Sequence, residues 1–168
     1  QPIAWLTLMG RKIALLSKYG VLSEGEVSSR HTIMLENYIK TINIEALLTS
    51  TIAKQQILPA ALKYQGELAT TLVRTREASK GASVGGVEGS LNEVSALTSK
   101  LADAISTLDK TRTKADGQHG DHTTHAKFYR DQVIPSMNAV REAADALELS
   151  VDDALWPLPK YREMLFVY

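Results

Sequence analysis

A chain of 168 residues is the size of one domain and can bury roughly 70% of its unfolded surface around a single core. With 44% apolar and 23% charged residues it reads as globular, not disordered, collagenous or membrane-embedded, and its 19 Lys and Arg balance 19 Asp and Glu, so the basic excess of a nucleic-acid binder is missing. The absence of cysteine excludes disulfides, thiolate metal sites, Fe–S clusters and cysteine nucleophiles.

Gln1–Gly10 is apolar, but its basic residues Arg11 and Lys12 follow it and no small-residue cleavage site comes after, so it does not read as a signal peptide. No stretch approaches the roughly 18 apolar residues of a membrane span, and a cytoplasmic protein is expected. The first residue is Gln, which suggests a piece of a longer or processed chain. Residues 1–22 read as a leading helix, about Ala4 to Tyr19, closed by Gly20 and followed by a linker.

Ser23-Glu24-Gly25-Glu26 is a capping box, in which the Ser23 hydroxyl and the Glu26 carboxylate satisfy two free amides reciprocally. From it a helix of about 23–79 is predicted, with Val27, Met34, Leu35, Tyr38, Ile42, Ala46, Thr49, Ile52 and Ala53 at helical spacing. Pro59 should kink this helix without splitting it. Gly81, Gly85, Gly86 and Gly89 mark a flexible connection, and a second capping box, Ser90 with Glu93, starts a helix of about 91–112. Ala115 to Gly120 breaks the pattern. Asp121 caps a last helix of about 121–149, bent slightly at Pro135. Residues 150–168 form a tail in which Pro157 and Pro159 impose an extended path, Trp156 anchors the tail on the bundle, and Tyr161 to Tyr168 is half-buried.

These elements predict an all-α antiparallel bundle over 23–149, with one very long Pro-kinked helix and an extended Pro-containing C-terminal tail. At 1.5 Å per residue the long helix spans roughly 80 Å and the others roughly 30–45 Å. The shorter pair cannot cover it, so the apolar stripe from Val27 to Ile52 needs a further partner.

Few residues suggest chemistry. His119, Asp121, His122 and His125 are the only ligand-like group; three imidazoles and a carboxylate suit Zn²⁺, but the segment is polar, lies at a helix start and lacks an H-E-x-x-H or E-x-x-H pattern, so a solvated helix start is the preferred reading. The glycine stretch lacks the strand and Lys-Ser/Thr of a phosphate loop. Glu36 with Lys40 reads as a surface ion pair, and His31 as a surface or interface histidine. Neither a nucleophile elbow nor a Ser-His-Asp order is present, so no catalytic and no cofactor-binding residue is assigned.

The tail Ser150-Val151-Asp152-Asp153-Ala154-Leu155-Trp156-Pro157-Leu158-Pro159-Lys160-Tyr161-Arg162-Glu163-Met164-Leu165-Phe166 resembles the C-terminal end of type III glutamine synthetases. Lys18–Ser23, Leu35–Tyr38, Lys40–Ala46, Gln56–Ala60, Phe128–Asp131 and Val133–Pro135 resemble the same family in the same order. The resemblance runs from about Lys12 to Phe166. It implies the C-terminal helical domain of a glutamate–ammonia ligase that uses ATP and Mg²⁺ or Mn²⁺ and assembles as a double-ringed dodecamer. Its partners would be the catalytic domains of the parent enzyme and neighbouring subunits. No catalytic motif of the family matches a position here, so the chain alone should be inactive, with Trp156, Pro157, Pro159, Pro59 and Tyr38 as structural or interaction residues. The competing reading is a stand-alone adaptor that binds a partner helix along Val27–Ile52.

Overall fold

The computed structural model describes residues 9–118, 120–159 and 161–165. Helix α1 (Met9–Lys18) closes on Gly20, whose φ of +62° is a left-handed conformation that costs glycine nothing. The Gly20 amide donates to the Ser17 carbonyl (3.1 Å) and the Val21 amide to that of Leu16 (3.0 Å), the paired bonds of a Schellman ending. The start predicted at Ala4 lies outside the described residues.

The capping box predicted at Ser23 is present. The Glu26 amide donates to Ser23 Oγ (3.3 Å), while the Ser23 amide (2.8 Å) and hydroxyl (2.7 Å) both donate to Glu26 Oε2. Those bonds, the backbone one first, hold the Glu26 carboxyl below the usual carboxylate range. Because the charged form is favoured in the folded state, the cap is intact above the ordinary carboxyl pKa and is lost as pH falls through the depressed value. Ser23→Ala is expected to fray only the first turn of the helix, seen as faster amide exchange at Glu26 and Val27 with exchange beyond Leu35 unchanged.

From Glu24 one rod runs to Ala78 as α2 (Glu24–Ile52), a π turn (Ala53–Ile57) and α3 (Leu58–Ala78). The Leu58 amide reaches back five residues to the Ala53 carbonyl. Pro59 explains the wider turn, since its ring would crowd the carbonyl four residues earlier and it has no N–H to give. The same device precedes Pro135, where the Ile134 amide bonds the Tyr129 carbonyl at the end of a π turn over Tyr129–Val133. Both prolines thus leave their rods continuous.

Helix α4 (Gly85–Asp116) starts earlier and ends later than the sequence pattern indicates. Ser90 lies inside it and is no cap; the flanking residue is Val84, which offers no side-chain bond. Gly85, Gly86 and Gly89 are helical despite a propensity deficit of about 1 kcal/mol each. Packing against α3 offsets it: Glu88 pairs with Arg76 across the turn, and Val87 and Leu91 are half-buried. At the other end Ala115 is fully buried, which extends the helix beyond Arg112.

Asp121 caps the third rod, accepting from the Thr124 amide at 3.2 Å, and the chain continues as α5 (His122–Phe128), the second π turn and α6 (Ile134–Ser150). Contacts fix the topology. Arg76 meets Glu88 while Lys54 meets Asp109, so α4 runs antiparallel to the first rod. Ser136 meets Thr111 and Ser150 meets Glu93, so α6 runs antiparallel to α4. The result is an up-down-up bundle of three rods without a strand among the described residues.

The core joins Ala46, Ala53, Ile57 and Ala61 of the first rod, Leu101, Ile105 and Leu108 of α4, and Tyr129, Val133, Val140, Ala143, Ala144 and Leu147 of the third rod. After α6 the tail adds Val151 and Trp156 to this cluster, with Leu155 and Leu158 packed against it. Short helix α7 (Tyr161–Leu165) carries exposed Met164 and Leu165 rather than the half-buried side chains expected there, and residues 166–168 lie outside the description.

The stripe from Val27 to Ile52 is not left for an outside partner as a whole. The third rod begins beside Glu36, so the bundle itself covers much of the stripe assigned to an outside partner: Leu35 and Ala46 are buried, and Tyr38 and Ile42 are half-buried against the core. What remains uncovered lies on the opposite side of α2, where Ile33, Ile44, Leu47 and Leu48 are exposed together with Met34 and Ile52.

Candidate functional site

The polar residues that α2, α4 and the third rod bring together form a belt across one end of the bundle. Ser50, buried on α2, donates to Asp109 Oδ1 at 2.7 Å, and Lys54 pairs with the other oxygen of that carboxylate. Burial pushes the Asp109 carboxyl up, but the hydrogen bonds from Lys54 and Ser50 with the Lys54 and Arg112 charges outweigh it and leave the group below the ordinary range. One helical turns' worth of residues further on, Arg112 donates to Asp116 Oδ2 at 3.1 Å, and the Tyr129 hydroxyl makes a long 3.5 Å bond to the other Asp116 oxygen. Burial, then the Asp116 charge, pushes the Tyr129 phenol up to about 12.

The histidines are divided between separate partners. His125 Nε2 donates to the Ala115 carbonyl at 2.9 Å, and its ring lies 5.2 Å from that of Tyr129 at 54°. His122 faces Glu36 at 3.7 Å, and Glu36 also meets Lys40 at 3.6 Å. His119 lies outside the described residues, and among those described no three His, Asp or Glu side chains converge on one point. His31 is half-buried, with Nε2 enclosed and without a hydrogen-bond partner.

The belt's chemistry is that of a clamp. The buried serine–carboxylate contact of the belt, Ser50 with Asp109, makes a poor nucleophile–base pair, because the Lys54 charge lowers the basicity of that carboxylate. Asp109→Asn is expected to lower stability at neutral pH. It should also flatten the acid limb, since the depressed pKa of Asp109 stabilises the fold above the ordinary carboxyl pKa and loses that effect as pH falls through the folded value; urea titrations at a series of pH values measure both. No local sequence pattern marks Asp109, because its partners Ser50 and Lys54 lie on another rod, and only the three-dimensional pairing reveals it.

Of the other predicted residues, Tyr38 is half-buried against the core, where burial raises its phenol pKa, and Pro59 sits exposed just past its π turn. Trp156 is 8% exposed and its indole N–H is enclosed without a partner, while Pro157 and Pro159 face solvent on either side of half-buried Leu158. Trp156 lines a cavity of about 330 Å³ together with Glu148, Leu149, Val151 and Asp153. Asp152 fixes the turn into it, accepting from the Ala154 amide at 2.7 Å.

A family model described as the glutamine synthetase C-terminal domain matches residues 6–76, a stretch that takes in α1, α2, the first π turn and most of α3. The chain is also similar, at 31% identity over 156 residues, to a glutamine synthetase of Bacteroides fragilis (strain YCH46), and at 33% over 161 residues to a type-3 glutamine synthetase of Dictyostelium discoideum. These alignments take in 91% and 94% of this chain. The chain belongs to the glutamine synthetase C-terminal domain family. A glutamine synthetase of Butyrivibrio fibrisolvens matches at 28% identity over 154 residues. The chain spans about a fifth of the length of these relatives, 21% to 22%. Since the relatives' alignments take in nearly the whole chain, α4, the third rod and the tail belong to the region of similarity as much as the stretch matched by the family model. No helix among the described residues is long and apolar enough to cross a membrane.

Proposed function

We propose that this chain is the structural C-terminal domain of an ATP-dependent, cytoplasmic glutamate–ammonia ligase of the type III class. It packs on the catalytic part of that enzyme, contributes contacts between the subunits of a homo-oligomer, and supplies no catalytic group. The observation that carries the reading is a helix apolar on both sides, one side filled by the bundle and the other open, in a chain similar to the C-terminal domain of glutamine synthetases. ATP and the Mg²⁺ or Mn²⁺ ion belong to the rest of the enzyme. The carboxylates of the belt and Glu36 do not fit such a site, being engaged by Lys54 and Ser50 at Asp109, by Arg112 and Tyr129 at Asp116, and by Lys40 and His122 at Glu36.

A chimera tests it. The corresponding segment of the Dictyostelium enzyme is deleted and then replaced by this chain, and glutamine formation from glutamate, ammonia and ATP is followed. Deletion should abolish activity or assembly and replacement should restore it, while the isolated chain should form no glutamine. Glutamine formed by the isolated chain, or a deletion without effect on activity and assembly, overturns the proposal.

A further inference from the structure

We draw no further inference here: the strongest candidate, the open apolar ridge of Ile44, Leu47, Leu48 and Ile52 along the outer side of α2, carries nothing because nothing in the structure shows what covers it.

Discussion

Replacing Trp156 by alanine is expected to be among the most damaging single changes in this protein, although the residue lies outside every helix. Its ring joins the tail to a cluster that includes Leu147 and Val151, and burial of an aromatic of this size is worth about 3–5 kcal/mol when truncated to alanine. For a domain of this length each kcal/mol corresponds to roughly 2–4 °C, so thermal unfolding should shift down by about 10 °C. The tail after Ser150 should become sensitive to protease at temperatures where the bundle still holds. Trp156→Phe separates packing from hydrogen bonding. The indole N–H is enclosed with no partner, so phenylalanine forfeits area but no bond and removes a polar group buried at a cost. It should retain most of the stability, with a loss of about 1 kcal/mol. If alanine leaves both the unfolding temperature and the tail's protease resistance unchanged, Trp156 does not anchor the tail.

The rods were legible in the sequence for identifiable reasons. Ser23 with Glu26, Gly20 and Asp121 act within their own turn, so spacing alone locates them, and each does in the fold what its neighbours imply. Pro59 and Pro135 announced interruptions, and the form these took, a turn widened to a five-residue bond, follows from proline's missing N–H and its bulk. Ser90 misled for the complementary reason. A good cap sequence competes with tertiary packing, and the Arg76–Glu88 pair with the partial burial of Val87 carried α4 back through three glycines. The belt was hidden because Ser50 and Lys54 stand more than fifty residues from Asp109, and no local pattern reports a partner at that distance. The open ridge was missed differently. Ile44, Leu47 and Leu48 sit in the same stretch as the core positions, and a search for one apolar stripe absorbs the first that it finds.

Two neighbouring residues on α2 put this two-sidedness to the test. Ala46 is wholly buried in the core, and the other small residues of that core, Ala53 and Ala61 further along the first rod and Ala143 of α6, allow the rods to approach closely. Ala46→Leu brings three further carbons into packing with no room for them, which forces the rods apart or a neighbour off its rotamer, and should destabilise the protein by about 1–3 kcal/mol. Leu47, one residue on, points away from that contact and is about half exposed. Leu47→Ala should change stability by no more than about 0.5 kcal/mol in the monomer, since it opens no cavity in the core. Urea unfolding at low micromolar protein measures both, with concentration held low so that association does not enter. A large loss at Leu47 alongside tolerance at Ala46 would mean that the faces of α2 are assigned the wrong way round, and with them the placement of the third rod. The expected result has the opposite order: the smaller side chain is the one that cannot be enlarged, and the larger one is free to be cut back because nothing within its own chain rests on it.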